Sequence, residues 1–276
     1  MAIVKYLDTY TDDDAVDIVD HDPDSHPGEP WQLGGSAALP TVIASNKASW
    51  TVSISASSGR RIISTAAVDF QEGDEIFADI ELSQSDAAEK VRAALGFHQA
   101  ADLSFSAYYF KAQWNGDDTV TLVMEDFDGG PSWGSAGDSS AWENAQGTNY
   151  GTHAAPGGQI RLGVTKGAGL NFTPWVEPYG GGARTNFAEF TASSDRTADQ
   201  LVVMAQQRTG SSPDVSVVTW DNFTVQTPDA PAPEQCFETT YDCAVAVAPT
   251  FTDVAPTVRV ALDDSCIPEG TLEAYE

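Results

Sequence analysis

Apolar and polar residues alternate over many short segments of this chain, and turn-forming residues separate the segments. Period-two alternation is typical of half-buried β-strands, and long stretches with the 3.6-residue period of a helix are absent. Many short strands joined by glycine-rich turns predict an all-β sandwich or barrel. The predicted strands are Ile3–Leu7, Thr51–Ala56, Arg61–Phe70, Glu75–Leu82, Val91–His98, Ala107–Trp114, Val120–Phe127, Gln159–Val164, Phe172–Val176, Phe187–Thr191, Gln200–Gln206 and Val215–Val225.

Two local signals refine this pattern. The run Asn115-Gly116-Asp117-Asp118 stands between two predicted strands and predicts a hairpin turn. The segment 86–95 competes as a helix, because Asp86 and Glu89 are spaced as a capping box. Its continuation into Gly96-Phe97-His98 favours a strand at the C-terminal end.

Two stretches interrupt the strand pattern and suggest the domain boundaries. Gly129–Gly158 is rich in Gly, Ser and Ala, and a loop of that length is usually functional or mobile. Pro228–Pro233 holds three prolines and predicts a stiff linker. We therefore expect a sandwich domain over 1–227, a linker over 228–233 and a C-terminal extension over 234–276.

The C-terminal extension holds two short alternating runs, which would be only marginally stable as an isolated pair of strands. We expect it to act as a docking arm on its own sandwich, a sister subunit or a larger particle. The alternative is a small subdomain closed by a disulfide between Cys236 and Cys243. These two cysteines and Cys266 are the three of the chain, and a disulfide and free buried thiols both remain open.

Charge narrows the classes of partner. The 276 residues include 13 Lys and Arg against 41 Asp and Glu, for a net charge of −28. This balance argues against a nucleic-acid partner and against an anionic membrane surface. It fits a protein that works in high salt, and an ordinary acidic soluble protein is the alternative. The first residues lack the pattern of a signal peptide, so we expect no secretory export.

Motifs in three regions together resemble the concanavalin A-like, or laminin-G-like, β-sandwich family. The central ones are Ala94–His98, Tyr108–Phe110, Thr121–Met124 and Asp128-Gly129, and Thr219–Val225 is similar to the family's last strand. The opening ones are Asp8–Tyr10, His21–Asp24, Trp31 and Ile43–Asn46, in versions common in structural proteins of tailed viruses. The resemblance spans about residues 1–226. It implies a jelly-roll sandwich, a fold that serves lectins, glycan hydrolases and scaffolds alike.

The glucanase branch of that family carries Glu, Asp and Glu on one strand face as its catalytic groups. The nearest run here places Glu75, Phe77, Asp79 and Glu81 on one face. Phe77 stands where the first carboxylate would be needed, so we expect a solvated acidic face and no catalytic residues. Ser132 lies in a nucleophile-elbow pattern, but glycine, serine and aspartate follow it where a helix would be required.

Two groups of residues are candidates for glycan contact. Trp133, Trp142 and Tyr150 lie on the predicted polar loop, where aromatic rings either contact sugars or anchor the loop by packing. His98, Tyr109, Lys111 and Gln113 share one predicted sheet face, opposite Leu95, Phe97, Tyr108, Phe110 and Trp114. That polar face is either a ligand surface or a solvated or subunit-facing one.

Structural calcium is the one cofactor that the sequence suggests. Related jelly rolls often pair an aspartate of the last strand with oxygens near the N-terminus, and Asp221 with Asp8, Asp12 and Asp14 would fit that arrangement. The alternative is that Asp221 accepts hydrogen bonds from nearby backbone. Asp20, Asp22 and Asp24 are not an EF-hand, because Ser25 and Trp31 replace the required Gly and Glu.

These observations predict a non-enzymatic structural protein of a tailed virus, assembled in the host cytoplasm and exposed on the virion as a head decoration, spike or tail-fibre component. Its expected partners are other virion proteins, further copies of itself (a trimer) and host-surface glycans. The alternative is a secreted or cell-surface glycan-binding module or glycoside hydrolase.

Overall fold

Sixteen strands account for most of the regular structure in the described part of the chain. A computed structural model describes residues 2–34, 40–53, 58–85, 90–99, 107–127, 146–192, 200–209 and 214–229. The strands are β1 Ile3–Asp8, β2 Trp31–Gly34, β3 Thr41–Ile43, β4 Ala48–Val52, β5 Ser58–Val68, β6 Glu75–Gln84, β7 Lys90–Gln99, β8 Ala107–Trp114, β9 Thr119–Phe127, β10 Gln146–Ala154, β11 Gln159–Lys166, β12 Asn171–Glu177, β13 Thr185–Asn186, β14 Phe190–Thr191, β15 Gln200–Thr209 and β16 Ser216–Thr227. Two 3-10 helices cover Ile18–Asp20 and Pro156–Gly158.

The strands of the described residues pair antiparallel into two sheets. Sheet A runs in the order β13-β12-β11-β6-β16-β4-β3, with β1 paired to the end of β16 and β14 paired to β12. Sheet B runs in the order β10-β9-β8-β7-β15-β5-β2. Neighbours in space are distant in sequence, as with β6 beside β16, which is the connectivity of a jelly roll rather than a meander.

The hydrophobic core lies between the two sheets and draws its side chains from alternate positions of both. Ile76, Ile80 and Trp220 of sheet A are buried in the same cluster as Leu95 and Phe110 of sheet B. A polar link crosses this core, because the Gln206 side chain accepts from Trp220 Nε1 at 3.0 Å and donates to Thr41 Oγ1 at 2.7 Å. The two sheets are thus tied by burial and by a satisfied buried amide.

The predicted all-β class is confirmed, and so is the hairpin turn between β8 and β9. Gly116 and Asp118 adopt positive φ there, and Asn115 N donates to Thr119 O at 3.1 Å. The helical alternative is wrong over residues 90–95, which belong to β7. The predicted long loop is wrong over residues 146–154, because they form β10 at the edge of sheet B.

Residues 1–228 form one compact unit and residues 229–276 form a second. Most of the predicted linker, the C-terminal extension and the three cysteines lie outside the described residues. Within the described residues, no helix has the length and apolar character needed to cross a membrane.

Candidate functional site

The outer face of β6 carries the row of carboxylates that the sequence singles out. Asp79 is fully buried there and receives a bidentate pair from Arg161, with Nε to Oδ1 at 2.9 Å and Nη2 to Oδ2 at 2.7 Å. Gly180 N donates to Oδ1 at 2.9 Å, and Asn222 Nδ2 donates to Oδ2 at 3.1 Å. Four donors on two oxygens leave this carboxylate committed to structure.

Glu75, the first residue of the same row, is also held by an arginine. It is buried, pairs with Arg184 and accepts from Thr165 Oγ1 at 3.1 Å. The guanidinium of Arg184 lies 3.6 Å from the centroid of the buried Trp175 ring and also contacts Glu177 at 2.9 Å. The expectation of a solvated acidic face is therefore wrong for Glu75 and Asp79, because arginines from β11 and from the segment after β12 cover them.

A glycine-rich segment after β12, residues 178–184, packs beside this network. Gly180, Gly181 and Gly182 have φ values of 79°, 101° and 154°, a run that glycine adopts far more readily than other residues. Tyr179 precedes them, its hydroxyl donating to Asp221 Oδ2 at 3.2 Å and its ring lying 5.1 Å from Lys47 Nζ. Burial raises the pKa of the Asp221 carboxyl, although Tyr179 and Lys47 oppose the shift.

An open cleft of about 580 Å³ lies next to this segment. One wall comes from the end of β10 and the 3-10 helix, with His153, Ala154 and Pro156, and the other from residues 176–185. Gln159 and Ile160 of β11 also line the cleft. Its size falls in the range of small-molecule sites, and its lining is mostly apolar with a few polar groups, as such sites usually are.

Sequence reasoning missed this cleft. Tyr179, which lines the cleft, follows a proline and precedes three glycines. Trp133 likewise lies in a glycine-rich segment, and for that reason the sequence suggests it as a glycan contact. His153 fell within the segment that we interpreted as a loop. The signal was present in the sequence, but nothing local indicated that β10 and the segment after β12 meet.

The strand register places the four residues of the predicted polar face along β7 and β8 of sheet B. The register pairs Gln113 with Arg92, and places Lys111 opposite Ala94, Tyr109 opposite Gly96 and His98 opposite Ala107. Arg92 donates to Gln113 Oε1 at 2.8 Å and to Gln207 Oε1 at 2.9 Å, and Lys111 pairs with Glu125. Tyr109, Lys111 and Glu125 are buried, so this face is not an open solvated surface at those residues.

The four aspartates proposed as calcium ligands fall into different surroundings. Asp8 is fully buried and accepts from Trp31 Nε1 at 2.6 Å, from Tyr10 N at 2.8 Å and from His21 Nε2 at 2.8 Å. Asp221 lies on the outer face of sheet A beside Tyr179. Among the described residues, no group of three or more His, Cys, Asp or Glu side chains is arranged to hold a metal ion.

The other two aspartates, Asp12 and Asp14, contact His21 and Ser45. Asp14 Oδ1 accepts from Ser45 N at 2.7 Å, and Asp12 Oδ2 lies 3.4 Å from His21 Nδ1. A hydrogen bond from the Asp13 backbone and the contact with His21 lower the pKa of Asp12. Burial alone would lower the pKa of His21, but its contacts with Asp8 and Asp12 raise it above the usual value.

Of the three aromatic loop candidates, Trp133 and Trp142 lie outside the described residues. Tyr150 is on β10, where its ring packs 5.1 Å from Phe187 and its hydroxyl donates to Ala188 O at 3.1 Å. This ring is half-buried against the core rather than displayed on a loop. Its neighbour His153, 4.7 Å from the Phe187 ring, lines the cleft.

Comparison with known proteins identifies the fold. No family model matches the chain, and no curated protein matches it significantly. An endo-β-1,3(4)-glucanase of family GH16 superposes with a TM-score of 0.50 at 9% identity, covering 82% of this chain and 93% of its own.

Two further structures match. A structure described with endo-acting O-glycanases of the human gut microbiota gives a TM-score of 0.50 at 10% identity, covering 82% of this chain and 100% of that one. The CBM2 module of the evolved Dit of Lactobacillus casei BL23 phage J-1 gives 0.48 at 12% identity, covering 84% and 98%. The match to the glucanase shows that the chain has the jelly-roll β-sandwich fold of that enzyme, and at 9% identity it shows the fold alone.

Proposed function

We propose that this protein is a glycan-binding β-sandwich without hydrolase activity, displayed as a structural component of a tailed-virus particle. The observation that supports binding without hydrolysis is that the carboxylates beside the cleft are already engaged in hydrogen bonds and ion pairs within the protein. Asp79 is held by four donors, Glu75 by Arg184 and Thr165, and Glu177 by two arginines. A cleft of about 580 Å³ lies open next to them.

Glycoside hydrolysis needs a pair of carboxyl groups free to act on the scissile bond, one as acid and one as nucleophile or base. Glu177 is the carboxylate that lines this cleft, among the residues described here, and Arg184 Nε lies 2.9 Å from it. Glu81 is more exposed, but it pairs with Lys47 at 3.8 Å and is not among the residues that line the cleft. A binding role asks for no such pair, so it fits this arrangement better than hydrolysis does.

The virion role rests on the sequence. The opening motifs resemble versions that are common in tailed-virus structural proteins, and a net charge of −28 keeps a displayed protein soluble in a salty medium. Other virion proteins and further copies of this chain are its proposed partners. Bound calcium at Asp8, Asp12, Asp14 or Asp221 also stays a proposal.

Binding to immobilised glycans tests the first half of this proposal. We expect the full chain to bind a subset of an array that contains neutral and acidic oligosaccharides. Binding to none of them, by a chain whose circular dichroism shows folded β-structure, would overturn the glycan-binding role. The second half is tested by mass spectrometry of purified particles from the host that carries the gene, where we expect peptides of this chain at a stoichiometry of many copies per particle.

A further inference from the structure

The cleft between the end of β10 and the segment after β12 differs in chemistry from the polar face of sheet B that the sequence highlights. We propose that this cleft is a glycan subsite that takes uncharged sugar residues, with Tyr179 as its aromatic contact. The proposal rests on the glycan-binding function and adds the location and the ligand class.

The shape and lining of the cleft suit a short stretch of oligosaccharide. Sugar rings present nonpolar C–H faces and hydroxyl edges, so they need apolar or aromatic contacts together with a few hydrogen-bonding groups. The cleft offers the first in Tyr179, Pro156 and Pro178. It offers the second in a set of polar side chains, which are His153, Gln159, Glu177 and Thr185.

Tyr179 is held in place before any ligand arrives. Its hydroxyl donates to Asp221, and the Lys47 ammonium lies over its ring. The next residue, Gly180, is tied through its backbone N–H to the buried Asp79. A contact residue fixed by two neighbours loses little conformational entropy when a ligand binds, which favours affinity.

Charge around the cleft selects against acidic sugars. Among the described residues here, the cations are Arg161, Arg184 and Lys47, and each of them faces carboxylates. The anions of the same network are Glu75, Asp79, Glu81, Glu177 and Asp221, so negative groups outnumber positive ones. A uronate, sialate or sulfate group would be repelled by this excess of negative charge and by the net charge of −28. Each of the three cations is already paired with carboxylates of the protein.

Calorimetric titration at low ionic strength tests both parts of the proposal. The neutral probes are hexasaccharides of glucose, galactose and mannose, and the acidic probe is a hexamer of galacturonic acid. We expect at least one neutral hexamer to bind and the acidic hexamer to bind at least about tenfold more weakly. An acidic hexamer that binds as tightly as every neutral one, or more tightly, would overturn the ligand class.

Variants of Tyr179 locate the site. Tyr179→Ala should weaken neutral hexamer binding by about tenfold, whereas Tyr179→Phe, which keeps the ring and loses the bond to Asp221, should weaken it by about twofold or less. Tyr179→Leu provides a bulky non-aromatic substitute if the alanine variant melts at a lower temperature. Unchanged affinity in Tyr179→Ala and Tyr179→Leu would place the glycan elsewhere and overturn the cleft subsite, while the glycan-binding function would stand.

If no glycan in the panel or on the array binds the folded wild-type chain, the function and the subsite fall together. These outcomes separate a wrong location or ligand class from a wrong function.

Discussion

The outer faces of the two sheets bury charged residues in different ways. On sheet A, acidic residues of β6 are covered by arginines and by the glycine-rich segment 178–184, which also forms a wall of the cleft. On sheet B, the buried charged side chains of the outer face are Arg92, Lys111 and Glu125. They lie beside the buried amide of Gln207 and the half-buried amide of Gln113. Lys111 pairs with Glu125, whereas Arg92 donates to two neutral amides. Among the described residues, the sheet A network anchors the wall of the open cleft through Gly180, and the sheet B network lines a small pocket of about 40 Å³.

This difference shows that a row of polar residues on a strand does not by itself reveal what the row does. Alternation decides which residues share a face, because side chains point to opposite sides at each step. Whether that face is solvated depends on segments that arrive from elsewhere in the chain. Breaking the two networks separately should show how far they differ.

The largest expected effect comes from the sheet A network. Asp79→Asn removes the charge that compensates Arg161, and breaking a buried ion pair from one side costs about 4 kcal/mol in unfolding free energy. The measurement is urea denaturation followed by tryptophan fluorescence. Glu81→Gln on the same strand is the matched control and should cost less than about 0.5 kcal/mol, because the Glu81 side chain is 36% exposed. Equal losses for the two variants would contradict the structural role of Asp79.

The sheet B pair should be the next most costly to break. Lys111→Met leaves Glu125 buried without its ammonium partner, at a cost of about 3 kcal/mol. The double variant Lys111→Met/Glu125→Met should recover most of that loss, since replacing both partners by apolar groups of similar size is often close to neutral. A double variant no more stable than the single one would show that this pair does more than compensate charge. Neutral-glycan affinity should stay unchanged in both variants.

The comparison also shows what the sequence could and could not predict. Period two correctly placed Glu75 and Asp79 on one face, and Tyr109, Lys111 and Gln113 on another. Burial was not predictable, because Arg161 is 82 residues from Asp79 and Arg184 is 109 residues from Glu75.

The strands that the alternation did not predict have a different cause. They are β2, β3, β10 and β13, and β10 is the longest of them. It is rich in Gly, Thr and Asn, and its register shifts between Asn149 and Gly151, so it lacks a clear alternation. With β10 unrecognised, the cleft that it lines could not be predicted either.

A smaller effect concerns the buried side chain of His21. Unlike the arginines of sheet A, it contacts carboxylates that are close to it in sequence, those of Asp8 and Asp12. The contacts with these carboxylates raise the folded-state pKa of His21 above its unfolded value. The stabilisation is therefore complete below about pH 6.5, the unfolded pKa, and is lost as pH rises through the folded one. The loss should be about 1 kcal/mol.

Melting temperature against pH checks this prediction. The wild type should melt at a lower temperature once pH has passed above the folded pKa of His21, and His21→Gln should lose that pH-dependent step. A step of the same size in both proteins would assign it to another group.

The smallest expected effect is that of salt. Raising the ionic strength screens repulsion among exposed carboxylates, so the melting temperature of the wild type should rise by about 3 °C, equivalent to about 1 kcal/mol or less. Buried pairs are screened much less, so the losses in Asp79→Asn and Lys111→Met should be the same in low and molar salt. A loss that disappears in molar salt would mean that the pair concerned is exposed.

The central claim is that the acidic residues of sheet A build the wall of a glycan-binding cleft and do no chemistry. The most direct test is mass spectrometry of a bound neutral hexasaccharide after prolonged incubation with the protein in water enriched in ¹⁸O. We expect the hexasaccharide to be recovered intact and unlabelled. Shorter oligosaccharides carrying ¹⁸O at their new reducing ends, formed by the wild type and lost in Glu81→Gln, would contradict it.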